Sequence, residues 1–366
     1  MLASLLGVRL MLLTGDVPRP ASAALLQAII RVEVVNNAEG DDGFEITFSL
    51  TKQALGEYDL LQGGELEPET RVIIGVLMGA SPEALIDGVI YHHQLNPSRE
   101  PGASTLVVKG RDVRVMLDLK EEIAPLKNQP DSQAVEAILA KYPQYGFVSK
   151  VTPTTSIPIE IELTRWRHES DLALINRLAR RNGFVFYVEP LTIGVNTAYW
   201  GPRQPSGPAQ ADLLYNVGGS SNVDEISFNN DALSPTGFEG KVYLPFIKQS
   251  IMIPPLPDLR IPPLAAKVAP PRRKRLMRRT ANRSPADAAT DMQAAAANAP
   301  DPVECAGKLD SVRYGQVLRA RRRVRLVGTG LSYAGFYRVS TMRHIITRSE
   351  YSQEFTLKRE GTGALL

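Results

Sequence analysis

The sequence predicts a mainly β chain with a few helices. Two observations carry this. Short runs of alternating apolar and polar residues recur with turn residues between them, the pattern of a barrel or sandwich. Between two such strand-rich stretches lies one helix-to-strand unit, Trp166 to Val188, in which every local signal agrees.

The first strand is expected at Val8 to Leu13. The apolar start Met1 to Leu13 and the triplet Ala21 to Ala23 imitate a signal peptide. Arg9 interrupts the apolar run, no basic segment precedes it, and Asp16, Pro18, Arg19 and Pro20 separate it from the small residues. A strand, and no signal peptide, is the expectation. Ser22 can cap a short helix to Ile30, and Arg31 to Val35 follows as a strand. Gly43 to Leu50 is the clearest strand: Phe44, Ile46, Phe48 and Leu50 alternate with Glu45, Thr47 and Ser49, so one face is apolar. Asn36 to Asp42 supplies the turn. Further strands are expected at Arg71 to Met78, Leu85 to Gln94 and Ser104 to Gly110, with a helical exit at Val113 to Glu122. Ser132 to Tyr142 reads as a helix with Val135, Ile138 and Leu139 on one face, ended by Tyr142-Pro143.

Pro153 to Pro158 reads as a linker and Ile159 to Leu163 as a strand. In the unit that follows, Glu169 or Ser170 caps the helix and Asp171 suits its positive end. Leu172, Ile175 and Leu178 form the stripe, with Leu174 and Ala179 beside it. Arg177, Arg180 and Arg181 lie towards the negative end, Asn182-Gly183 closes the helix, and Phe184 to Val188 leaves as a strand. Strands are also expected at Val223 to Phe228, Gly240 to Leu244, Gly307 to Leu309, Arg323 to Gly328, Gly335 to Ile346 and Tyr351 to Arg359. The stretch 247–302 differs in kind: proline-rich, then basic, then alanine-rich. A helix is expected within Ala286 to Ala299, and the rest as an exposed, mobile insertion.

The composition narrows the function classes. The chain has 366 residues, too many for one ordinary core. With 43% hydrophobic and 22% charged residues it reads as globular and soluble, and a net charge of +3 gives no general reason to expect a polyanion partner. One cysteine, Cys305, excludes an internal disulfide and fits a reducing compartment. No run of about 18 apolar residues occurs, so no membrane insertion is expected.

No catalytic, cofactor or metal site is expected. His92 and His93 are adjacent and point to opposite faces of a strand, while His168 and His344 lie far along the chain. Gly328-Thr329-Gly330 lacks the third glycine of a dinucleotide loop. Asp41-Asp42 and Glu121-Glu122 read as solvated surface carboxylates, and Trp166, Tyr187, Tyr199 and Trp200 as barrel core. The one conspicuous cluster is basic: Arg272, Arg273, Lys274, Arg275, Arg278 and Arg279. No aromatic residue interleaves to stack on bases, which disfavours nucleic acid as its partner. A solvated loop is favoured slightly over docking to an acidic patch on a neighbouring subunit.

Three passages resemble the phage late-control gene D family, the tail-hub proteins of contractile phages and contractile injection systems. These are Trp166 to Val188, then Gly307 to Tyr337 (Gly307, Leu309, Asp310, Tyr314, Gly315, Leu318, Val324, Leu326, Gly328), then Tyr337 to Arg359 with His344, Tyr351, Phe355 and Leu357. Asp87-Gly88, Gly102 to Thr105 and Gly110 to Leu117 add support. The resemblance covers most of the chain outside the insertion and implies two barrel-like hub domains per chain. It divides the sequence into a first barrel (1–125), a bridging part with helices (126–246), the insertion (247–302) and strands completing the second barrel (303–366). It implies a homotrimeric baseplate ring connecting the inner tube to the spike, with tube, tube-initiator and baseplate wedge proteins as partners, assembled in the bacterial cytoplasm. Nothing after Leu366 supplies a β-helix, so a separate spike protein is expected. Two rival readings are a tail-associated cell-wall-degrading enzyme and a nucleic-acid-binding module built on the basic cluster.

Overall fold

A computed structural model describes residues 8–52, 57–79, 81–100, 102–125, 129–155, 166–203, 207–244, 249–253, 263–277, 292, 294–296 and 298–365. The chain is mostly β with a few helices.

The N-terminal part is built from β1 (Val8–Thr14), β2 (Arg19–Pro20), helix α1 (Ala23–Ala28), β3 (Ile29–Asn37), β4 (Gly43–Ser49), helix α2 (Asp59–Gln62), β5 (Arg71–Met78), β6 (Ser81–Asn96) and β7 (Thr105–Asp112). The strands are joined in the order β3-β4-β7-β6-β5-β1-β2. They curl round one apolar core, because β1 and β3, far apart in that order, contribute Leu12, Ile29, Val32 and Val34 to the same cluster. Phe44, Ile46, Phe48 and Leu50 are all at most 4% exposed, as the alternation requires. The described part of the apolar start, from Val8, is a core strand: β1 pairs with β5 along its whole length.

A helical exit over Val113 to Glu122 is not what forms. A short 3₁₀ turn (Val113–Leu117) is capped by Asp112, whose carboxylate accepts from Arg114 N at 2.9 Å. Leu119 beyond it is 63% exposed, so no apolar stripe continues the helix. The chain instead enters β8 (Glu121–Pro125).

The middle of the chain adds α3 (Asp131–Leu139), β9 (Phe147–Val151), β10 (Trp166–Ser170), α4 (Asp171–Asn182), β11 (Phe184–Thr192) and β12 (Val195–Pro202). β10 pairs with β8, while β11, β12 and β9 form a separate three-stranded sheet. Helices α3 and α4 pack on that sheet around Val135, Ile138, Ile175, Leu178 and Trp200. Tyr187, Tyr199 and Trp200 therefore belong to this module and not to a barrel core; the sequence could not tell which sheet their strands would join. Trp166 lies in β10 at the register of Pro125. The expected strand Ile159 to Leu163 lies outside the described residues.

The last part holds β13 (Gln210–Leu214), β14 (Val223–Asn230), β15 (Thr236–Leu244), β16 (Gln249–Ile253), β17 (Lys267–Val268), β18 (Arg273–Leu276), β19 (Val303–Asp310), helix α5 (Ser311–Tyr314), β20 (Arg323–Val327), β21 (Gly335–Thr347), β22 (Tyr351–Arg359) and β23 (Gly361–Thr362). Six of these run in the order β14-β19-β22-β21-β20-β13. Both end strands contribute to one core, through Leu213 and Val223. The gap between them is bridged by Asn222. Its side chain accepts from Leu214 N at 2.8 Å and donates to Asp212 O at 3.0 Å, and its backbone N–H donates to Leu214 O at 2.9 Å.

Two relationships tie these parts together. The thirteen-residue strand β21 pairs with β20 through its first residues and with β3 through Thr341 to Thr347, so both curled sheets are one continuous 13-stranded sheet. Both halves also use the same packing device. In the first, Gly110 stands opposite Phe44 across β7 and β4; in the second, Gly307 stands opposite Phe355 across β19 and β22. A Cβ on Gly110 would lie 2.0 Å from the Phe44 ring, and one on Gly307 2.6 Å from the Phe355 ring. Each glycine lets a phenylalanine lie flat across the facing strand.

Of the alanine-rich stretch, Met292 and Ala294 to Ala296 are helical, and residues 286–291 lie outside the described residues. The expected mobile loop at the basic cluster is corrected in part: Arg273–Leu276 is strand β18, held in parallel register by Thr236 to Glu239 of β15.

Candidate functional site

Buried arginines join the modules to one another. The β3–β4 turn, expected as a solvated surface turn, is the centre of the largest cluster. Asp42 is 2% exposed. Its carboxylate accepts from Arg321 Nη2 at 2.6 Å, from Asn37 N at 2.7 Å and from Asn36 Nδ2 at 3.3 Å. Arg321 also donates to Asn37 O at 2.8 Å, and its guanidinium lies 4.4 Å from the Tyr187 ring centroid. It thus touches both barrel-like halves and the middle sheet. Three positions earlier in the same turn, Glu39 receives Arg203, Arg338 at 3.1 Å and Lys358 at 3.1 Å. Burial alone would raise its carboxyl, but these three cations pull it down to about 2.

Two more pairs repeat the design. Arg114 grips Asp112 with two bonds of 2.8 Å and donates to Phe186 O of β11 at 3.2 Å. Arg71 grips Asp87 at 2.9 and 2.6 Å and reaches Gln144 O at 2.8 Å, while Asn196 Nδ2 donates to the same Asp87 at 2.7 Å. Such two-pronged pairs fix geometry as well as charge. Their carboxylates are saturated with donors from more than one module, which suits them to clamping.

A cleft of about 900 Å³ lies where the modules meet, lined among others by Glu83, Lys150, Tyr187, Glu189, Arg319 and Arg322. Arg319 is tied to Glu83 at 2.5 Å and to Ala84 O at 2.5 Å, and Arg322 to Glu189. Tyr187 and Tyr199 stack at 4.8 Å and are almost fully covered.

The histidines do not converge. His92 and His168 are exposed and His93 is half-buried. His344 is 1% exposed and its Nδ1 lies 3.0 Å from Tyr351 Oη. Burial, with Arg319 nearby, lowers it to about 3, so it is neutral and acts as packing. Cys305 is buried and its thiol is pushed up to about 12 by burial, which makes it a poor nucleophile. Among the described residues no group of three or more His, Cys, Asp or Glu is placed to hold a metal ion, and no helix is long and apolar enough to cross a membrane.

In the Trp166 to Val188 unit, Ser170 is the cap, accepting from Ala173 N at 3.2 Å, and Gly183 closes α4 at φ 68°. Asp171 does more than favour a helix end. It is buried, and accepts from Arg167 at 2.6 Å, Lys141 at 3.1 Å and Tyr142 at 3.0 Å. Glu122, expected as a surface carboxylate, pairs with Arg167 and Lys141.

The basic cluster stays at the surface. Arg272 to Arg275 are all exposed, and Lys274 pairs with Glu239 at 2.7 Å. Arg278 and Arg279 lie outside the described residues. Sequence reading found this patch by its charge alone. It missed Glu39, Asp42 and Arg321, whose only local signal was an acidic turn.

No family model matches the sequence, and no curated protein matches it. Its fold does have solved counterparts. A tail protein from Neisseria meningitidis superposes with a TM-score of 0.62 at 16% identity, covering 98% of each chain. The 43 kDa tail protein of a Shewanella oneidensis prophage gives 0.64 at 14% identity, covering 96% of this chain and 98% of that one. An E. coli component of the type VI secretion system, described as structurally similar to phage T4 tail proteins, gives 0.56 at 13% identity over 90% of this chain and 73% of its own. The fold is that of phage-tail and type VI secretion proteins.

Proposed function

We propose that this chain is a structural baseplate hub of a contractile tail or injection particle: a homotrimeric ring that connects the inner tube to a separate spike protein. The observation that carries this reading is the end-to-end likeness in fold to tail proteins, which takes in both curled sheets and the module between them. Two barrel-like units per chain, copied three times, give six similar positions round a ring. Such a ring can seat a six-fold tube on one face and a three-fold spike on the other.

The internal construction suits mechanical load. One sheet crosses from one half to the other through β21. Force along it is carried by many backbone hydrogen bonds in parallel, and curled sheets leave few edges free for aberrant pairing. Residues 1–125 would form one barrel and 303–366, completed by β13 and β14, the other, with the rest of 126–246 as the bridge and 247–302 as an outward insertion. Tube-initiator and baseplate wedge proteins would be the other partners, with assembly in the bacterial cytoplasm.

The test is the mass in solution by light scattering, alone and with a candidate spike protein of the same particle. Three chains per spike trimer are expected. A chain that stays monomeric with its spike present overturns the reading. Lytic activity in a cell-wall zymogram would favour the enzyme alternative instead.

A further inference from the structure

Two exposed surfaces of the chain carry opposite charge. The large sheet terminates at β2 on one side and at β14 on the other. Beside β2 stands an acidic loop. Glu57, Asp59, Glu67 and Glu69 are exposed, Glu65 is half-buried, and Asp16 is exposed in the β1–β2 turn. Among the described residues none of these six carboxylates is in an ion pair. Two of them, Asp16 and Glu65, line a shallow groove of about 510 Å³ together with Gly15, Arg19, Gly63 and Gly64. The three glycines leave the backbone of its wall open to an approaching chain. Arg19 is the one cation among the lining residues, set against the carboxylates of Asp16 and Glu65.

Past the other end of the sheet, β14 leads directly into β15, and β15 carries the basic strand β18. Arg272, Arg273 and Arg275 are exposed and, among the described residues, without an ion pair; Lys274 alone is matched, by Glu239. The strand β18 has β15 as its partner on one edge and no second partner among the described residues. Each side also shows one apolar residue to solvent, Val17 at 73% in the acidic turn and Leu276 at 75% in the basic strand. A four-residue strand is roughly 13 Å long, which a groove of this size can accept.

We infer that the basic strand Arg272 to Leu276 of one copy docks into the acidic β1–β2 groove of the next copy. The occupant is a second copy because the complementary charge is present on the chain itself, on a strand of a separate small sheet. A positive and a negative surface are thereby matched across one contact, with Val17 and Leu276 as its apolar part. A contact between two different surfaces repeats head to tail and closes when the rotation per copy divides the circle. It gives the proposed ring a defined handedness and speeds encounter between copies. The inference rests on the ring reading and names the seam that would hold it.

Charge reversal with rescue is the test, in the full-length chain and with the spike protein present. Arg272, Arg273 and Arg275 are changed to Glu together, leaving Lys274 to its pair; Asp16→Lys, in the groove lining, and Glu67→Lys, beside Gly64, are made as a second variant; a third chain carries all five changes. Circular dichroism and the melting temperature check that each folds. Sedimentation at about 0.1 M and about 1 M salt, where the screening length falls from about 10 Å to about 3 Å, reads assembly. Each half-reversal is expected to weaken assembly about tenfold or more at low salt, and the chain with all five changes to recover it. If folded half-reversals assemble like the wild type, or if the combined chain is no better than its halves, this seam is wrong while the hub reading stands. If the wild type itself never assembles, both fall together.

Discussion

Arg321 and Asp42 meet at 2.6 Å with 5% and 2% of their surfaces exposed, although 279 positions separate them in the chain. Breaking a buried pair from one side leaves a charge without a partner, which costs about 3–5 kcal/mol. Arg321→Ala is expected to lower stability by that order, since it also strips the contact with Tyr187 and the bond to Asn37 O. Arg321→Ala combined with Asp42→Ala should cost less than the sum of the two. Urea denaturation of the four chains gives the coupling; strict additivity would mean that the pair does not clamp the halves together.

His344 makes stability depend on pH in a set direction. Its ordinary value is 6.5 and the fold holds it at about 3. The unfolded chain therefore binds a proton more readily than the folded one between these values, and stability falls as pH drops from about 6.5 towards 3. His344→Leu removes this dependence. It also leaves Tyr351 Oη without its partner, so at pH 7 it should cost about 1–3 kcal/mol. Melting temperatures from pH 7.5 to 5 separate the two effects: the variant starts lower but declines more gently.

Glu39 acts in a lower window. Arg203, Lys358 and Arg338 hold its carboxyl at about 2 against an ordinary 4.5. Its contribution is present above 4.5 and is lost as pH falls from 4.5 towards 2. Glu39→Gln is expected to flatten acid unfolding in that range while leaving the part above pH 5 unchanged. An unaltered acid limb would show that Glu39 is not held as an ion.

These sites explain why the sequence revealed the fold better than the junction. Phe44 to Leu50 is legible because alternation is a property of neighbouring residues. Ser170, Asp171 and Gly183 are legible as caps for the same reason. Glu39 and Asp42 looked like ordinary turn residues because the cations that pair with them, Arg203, Arg321, Arg338 and Lys358, arrive from far along the chain. The strand character of Arg273 to Leu276 was hidden likewise: its residues are a poor local match to a strand, and register with Thr236 to Glu239 imposes it. The gene D resemblance rested on packing residues such as Gly110, Gly307 and Phe355, and so could point to the fold but not to the surfaces that would bind partners.

Asn222 offers a test of how the second curled sheet is closed. No ladder joins β13 to β14; the amide of Asn222 spans the gap, accepting from Leu214 N and donating to Asp212 O. The side chain is 7% exposed, so water cannot readily replace it. Asn222→Ala leaves a backbone donor and a backbone acceptor unpaired and is expected to cost about 2–4 kcal/mol, at about 1–3 for each such group. Asn222→Asp keeps the acceptor for Leu214 N but removes the donor for Asp212 O, so it should fall between the wild type and alanine. Hydrogen exchange locates the effect. Protection of the Leu214 amide should drop in Asn222→Ala and largely persist in Asn222→Asp, while amides of β4 and β7 in the first half keep their relative order. Equal loss of protection in both halves would mean that the two sheets open as one unit and that Asn222 has no local closing role.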